Sequence, residues 1–146
     1  MTQTSYDADL KLFINGSWRA GEGRDAAPVV NPATGSAIAE VPLASQSDLD
    51  EALDAAERAW PEWRAMDVEK RAAILHKTAD LLRERAQQIG ELLTQEQGKP
   101  IAEAVGEVIG SAQMFDFFAE EAKRAYGRVL VRPAVRRSIV IPQPVG

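Results

Sequence analysis

Between Pro100 and Gly127 the apolar side chains Ile101, Val105, Val108, Ala112, Phe115, Ala119, Ala122 and Tyr126 recur at alternating steps of four and three. That period puts them on one stripe of an α-helix, and a strand cannot present it. A stripe longer than three heptads has to be covered, so the chain must lay other structure against this helix. Gly110, Met114 and Phe117 make a second face apolar at its middle, which predicts a helix packed between two layers. Gly127 is expected to end it as a left-handed cap. Glu103, Glu107, Glu120 and Glu121 flank the stripe and read as a solvated face.

The helical pattern begins at Ser45, which can cap a first helix with Asp48 three residues on completing a capping-box-like pair. Leu49, Leu53, Ala56, Trp60 and Trp63 then share one face, and Pro61 predicts an end by about Trp63. Asp67 is a candidate cap for a second helix that buries Ile74, Leu75, Leu81 and Leu82 and continues, after a break near Arg85, through Ile89, Leu92 and Leu93. Gly98 stops that run and Pro100 starts the next. Helices therefore occupy about 45–126.

Strand and turn signals fill the rest. Leu12-Phe13-Ile14, Asn15-Gly16 and Ser17-Trp18-Arg19 spell a tight hairpin, because Asn-Gly accepts the positive φ that its turn requires. Val29-Val30 leads into the turn Asn31-Pro32-Ala33-Thr34-Gly35, after which Ala37–Val41 is extended again, so strands are expected over 11–42. Beyond Gly127, Val129–Val131 and Ile139–Ile141 flank a polar connection through Arg132–Arg137, a second hairpin with a longer loop. The class these elements imply is α+β.

Composition narrows the chemistry. With 45% apolar residues in 146, the chain can bury a core, which excludes disordered and collagen-like classes. No run is long enough to span a membrane, and Met1–Leu12 carries Asp7, Asp9 and Lys11 where a signal peptide would be apolar, so a soluble, cytoplasmic chain is expected. Cysteine is absent, which removes disulfides, thiolate metal sites and thiol nucleophiles. The single histidine, His76, reads as a partly exposed helical residue, and nothing supports a metal site.

Glu96 with Glu103, or Glu103 with Glu107, sit at helix spacing in an acidic chain and are assigned no acid–base role. Gly21-x-Gly23 lacks the third glycine and the parallel strand–helix setting of a phosphate cradle, so it reads as a turn along with Gly16. Gly106-x-x-x-Gly110 is expected to admit another backbone closely or, less readily, a ligand. The net charge is −5; with the four arginines of 128–146 set aside, 13 basic side chains face 22 acidic ones, a net of −9. An acidic body of this kind is not a nucleic-acid binder, and the terminal arginines (128, 132, 136, 137) read as a solvated hairpin rim.

Residue order adds more. Phe13-Ile14-Asn15-Gly16-Ser17-Trp18, Asn31-Pro32-Ala33-Thr34-Gly35, Gln95-Glu96-Gln97-Gly98-Lys99-Pro100, Glu103-Ala104, Phe118-Ala119-Glu120-Glu121-Ala122 and Gln143-Pro144-Val145-Gly146 together resemble the amino-terminal part of the aldehyde dehydrogenase superfamily. Glu-Gln-Gly-Lys-Pro and Phe-Ala-Glu-Glu are similar in particular to its succinate-semialdehyde dehydrogenase branch. The resemblance covers residues 11–146 and implies a fragment of a chain nearly five hundred residues long. It implies the α/β fold of that family, with 1–127 as the beginning of the NAD(P)-binding domain and 128–146 as the hairpin of an oligomerisation arm.

The implied activity is oxidation of an aldehyde, with succinic semialdehyde a candidate, to a carboxylate with NAD or NADP: a cysteine attacks, hydride passes to the nicotinamide, and a glutamate activates water. By the resemblance those residues lie downstream, so no catalytic or cofactor-binding residue is assigned and neither activity nor cofactor binding is expected of this chain alone. Gly110 and Met114 are expected in the wall of the substrate channel, and the 128–141 hairpin is expected to drive self-association into a homo-oligomer. The rival expectation is a stand-alone interaction module that binds a partner through its exposed strand edge.

Overall fold

The computed structural model describes residues 10–20 and 23–145. In chain order the elements are β1 (Leu12–Ile14), β2 (Ser17–Arg19), β3 (Ala26–Val30), β4 (Ala37–Pro42), α1 (Gln46–Ala65), α2 (Val68–Glu84), α3 (Ala86–Gln97), α4 (Ile101–Ala122), β5 (Arg128–Leu130) and β6 (Ser138–Val140). Every strand pairs antiparallel with its sequence neighbour, giving three separate two-stranded ladders. This is the mixed helix-and-strand arrangement expected.

The turns follow their residues. Asn15 and Gly16 have φ of 51° and 75°, and the hairpin they close pairs Phe13 with Trp18, whose rings meet at 4.9 Å between centroids. At the β3–β4 turn Asn31 organises the chain from both ends. Its side-chain oxygen accepts from the Ala33 N–H at 2.9 Å, its carbonyl accepts from the Gly35 N–H at 2.8 Å, and its own N–H donates to the Ser36 carbonyl at 2.9 Å. The Gly21–Gly23 loop reading falls partly on residues 21 and 22, outside the described residues, as does the Met1–Asp9 part of the opening segment.

α1 starts with the capping box expected: the Asp48 N–H donates to Ser45 Oγ, and the Ser45 N–H donates to the Asp48 carboxylate at 2.8 Å. Pro61 is accommodated inside the helix, which runs two residues past Trp63 to Ala65. The helix leans mainly on β1 and is held there by charge. Asp48, only 3% exposed, accepts from Arg24 and Arg19, and Arg19 also pairs with Glu51. The hydrogen bond from Arg24 first, then those from the Ser45 hydroxyl and N–H, hold the Asp48 carboxyl well below the usual aspartate range. The expected apolar face of α1 is open: Leu49, Leu53 and Trp63 are all exposed.

α2, α3 and α4 form the core, mostly through small side chains: of the α4 stripe Val108, Ala112 and Ala119 are buried as its period predicts, while Ile101, Phe115 and Tyr126 are exposed. The buried apolar residues are Ala72 and Ala79 of α2, Ala86 of α3, and Ala104, Val108, Ala112 and Ala119 of α4, with Ile14 beneath the first hairpin. Small side chains let the helices approach closely, so the seam is narrow and Ile74, expected inside, lies exposed beside it. Gly90 of α3 belongs to the same close approach: a Cβ there would lie 2.6 Å from Val105 Cγ2 and 3.1 Å from the Val105 nitrogen. Gly98 ends α3 at φ 76°, as expected, and packs against Pro32, which ties the β3–β4 turn to the α3–α4 corner.

The long helix stops at Ala122, four residues short of expectation. Lys123 and Arg124 close a tighter last turn, donating to the Glu120 and Glu121 carbonyls, and Lys123 is right-handed. Gly127 has no positive φ and is not a helix cap. A Cβ at 127 would lie 2.5 Å from the Val140 carbonyl oxygen, so glycine is needed there for the close approach that lets β5 meet β6.

Candidate functional site

α4 is closed on one side by the alanine seam and open on the other. The expected second layer is not supplied by the described residues: Met114, Phe117 and Phe118 are all more than half exposed. Nothing lies within 4 Å of where a Cβ would stand at Gly106 or Gly110, so the close backbone approach expected at that pair is absent among the described residues and occurs at Gly90 instead. Met114, one turn on from Gly110, joins Leu75 of α2 with Phe115 and Phe118 in an open depression of about 320 Å³. No charged side chain lines it, so it suits an apolar contact and not an ion.

Behind that depression runs a polar cluster that the sequence did not reveal. His76 follows Leu75 on α2, 40% exposed, and its Nδ1 lies 2.7 Å from Asp116 Oδ1 while its Nε2 lies 3.0 Å from Glu120 Oε1. The other Asp116 oxygen takes Arg83, whose guanidinium also lies 3.4 Å from Asp80. Glu120 also takes Lys123, which reaches Glu69 at 3.1 Å. The hydrogen bonds to Asp116 and then Glu120 raise the His76 pKa above the usual histidine value. Arg83 first and His76 second lower that of Asp116, and Lys123 then His76 lower that of Glu120.

His76 is partly exposed, as its place in the sequence suggests, but its two carboxylate partners lie 40 and 44 residues away. Glu107 pairs with Lys99 and Glu121 with Arg124, both on solvated surface, in keeping with the reading of these carboxylates as a hydrated face. No group of three His, Cys, Asp or Glu side chains among the described residues is arranged to hold a metal ion. Among the described residues there is likewise no parallel strand–helix–strand unit, since all three ladders are antiparallel hairpins; the residues present do not fit a dinucleotide cradle. No helix among them is long and apolar enough to cross a membrane.

The model of the aldehyde dehydrogenase family matches residues 18–146. The chain is 42% identical over 137 residues to the succinate-semialdehyde dehydrogenase [NADP(+)] of Escherichia coli, covering 93% of this chain and 28% of that protein. It is 41% identical over 144 residues to the glutarate-semialdehyde dehydrogenase of Pseudomonas putida, covering 96% of this chain and 30% of that one. Among solved structures, an NADP-dependent enzyme of E. coli superposes with a TM-score of 0.84 at 41% identity over 91% of this chain and 28% of its own. The chain thus spans less than a third of the length of the relatives it matches.

Proposed function

We propose, from the fact that this chain belongs to the aldehyde dehydrogenase family, that it is the amino-terminal segment of an NAD(P)-dependent dehydrogenase acting on a semialdehyde, with succinic semialdehyde the leading candidate. Residues 1–127 are the beginning of the cofactor-binding domain and 128–146 the hairpin of the oligomerisation arm. The observation that carries this reading is the one-sided burial of α4, whose seam is closed while Met114, Phe117 and Phe118 stand open. A self-sufficient domain of this size would cover such a face. Gly110 and Met114 form part of the wall past which the aldehyde enters, where an uncharged surface lets the substrate's own carboxylate be selected elsewhere. By itself the segment neither binds the nucleotide nor turns over.

The test is direct. Incubated with succinic or glutaric semialdehyde and either nucleotide, the 146-residue chain should give no nucleotide reduction. Reduction that is lost on replacing His76 or a glutamate of this chain would overturn the proposal. For the channel wall, Gly110→Leu should not lower the melting temperature of the 146-residue chain, because no neighbour lies within 4 Å of a Cβ there, and should raise KM in a family-length chain carrying these residues. An unchanged KM would remove Gly110 from the wall.

A further inference from the structure

A neutral imidazole has one N–H and one bare nitrogen, so it can donate to only one of two flanking carboxylates, whereas an imidazolium donates to both. Asp116 and Glu120 are one helical turn apart on α4, and the His76 ring reaches across from α2 with a nitrogen at 2.7 Å from the first and 3.0 Å from the second. The arrangement is therefore satisfied only when the ring carries both protons. With one proton lost, a bare ring nitrogen faces a carboxylate oxygen and that contact turns repulsive.

We propose that His76 is a proton-dependent clasp between α2 and α4, closed on both carboxylates when the ring is charged and released from one of them when it is neutral. The clasp spans the two walls of the apolar depression, since Leu75 precedes His76 on α2 while Phe115 and Phe118 bracket Asp116 on α4. The groups that face it are Arg83, with Asp80 beside it, and Glu69 from α2, Asp116 and Glu120 from α4, and Lys123 just beyond α4. Arg83 keeps Asp116 paired and Lys123 keeps Glu120 paired when the ring lets go. The alanine seam also persists, so release loosens this stretch of the interface without separating the helices. The raised affinity of the ring for its second proton accords with this geometry. The direction follows: the clasp is complete below the ordinary histidine value and is lost as pH rises through the raised one.

Because the chain holds a single histidine, the two carbon-bound imidazole proton resonances report this site alone. Followed by NMR through the neutral range, they should titrate with a midpoint above that of an unperturbed histidine. Asp116→Asn and Glu120→Gln should each bring the midpoint back part of the way. Amide exchange in residues 112–120, corrected for its intrinsic pH dependence, should quicken above the midpoint in the parent chain and show no such step in His76→Gln. A parent midpoint at or below the ordinary value, or exchange that passes through the titration without a step, would overturn the clasp. Both measurements are made on the unmodified chain, so they decide the matter even where a variant does not fold.

Discussion

Gly90 and Gly106 stand on adjoining helices and differ in what surrounds them. A methyl group at 90 would press into Val105, backbone included, while one at 106 meets nothing within 4 Å. Gly90→Ala should therefore cost about 1–3 kcal/mol through overpacking. Gly106→Ala should be neutral or stabilise by up to about 1 kcal/mol, because glycine inside a helix forfeits backbone entropy. Chemical denaturation of the two variants checks this, and equal changes would show that the α3–α4 seam is looser than described. Single residues were legible where the chemistry was local: Asn15-Gly16, the Ser45–Asp48 box and Gly98 each act within a few residues of themselves. Gly90 and the partners of His76 were not, because their roles are set by residues 15 to 44 positions away, and no pattern along the chain marks which of many glycines or carboxylates will be the neighbour.

α1 shows what an element looks like when ions attach it more than apolar packing. Its capping box and the Asp48 contacts to Arg19 and Arg24 fasten its first turn to the first hairpin and the following loop, while Leu49 and Leu53 stay in solvent. Asp48 is a carboxyl whose folded pKa is depressed, so its contribution is complete above the unfolded value of about 4 and is lost as pH falls through the folded one. The melting temperature should therefore fall on acidification below about pH 4, and Asp48→Asn should melt lower at neutral pH with a flatter acid limb. A variant with the parent's acid limb would place that sensitivity in other carboxylates. Ser45→Ala should cost about 1 kcal/mol through loss of the cap. At this scale the sequence located all the helices and both outer hairpins to within a few residues. On α4 the stripe's period marks the seam through Val108, Ala112 and Ala119, but its large members Ile101, Phe115 and Tyr126 stay exposed, Ala104 takes the place of Val105, and Gly127 serves a strand contact instead of a helix end.

For the whole molecule, the part of the fold that stayed illegible is the covering of α4, since the described residues do not supply it. The β5–β6 hairpin adds to the open surface: Val131 is 99% and Ile139 66% exposed, and Arg128, Arg132, Arg136 and Arg137 have no acidic partner among the described residues. An unsupported two-stranded ladder with apolar, cationic edges beside an acidic body is the surface proposed to take a second copy. Light scattering at micromolar concentration should give a mass above one chain, and Val131→Lys with Ile139→Lys should lower it without loss of helicity, because neither side chain is buried within the monomer. A monodisperse single-chain mass, indifferent to those substitutions, would count against the arm as an association surface. The three hairpins also have a consequence in time. Each ladder closes over a short loop, whereas the α2–α4 seam and the Gly98–Pro32 contact must wait until chain 40 or more residues on has been made. During synthesis the hairpins would therefore take shape first and the helical seam later, and until α4 is covered its bare side would be a ready-made surface open to a chaperone.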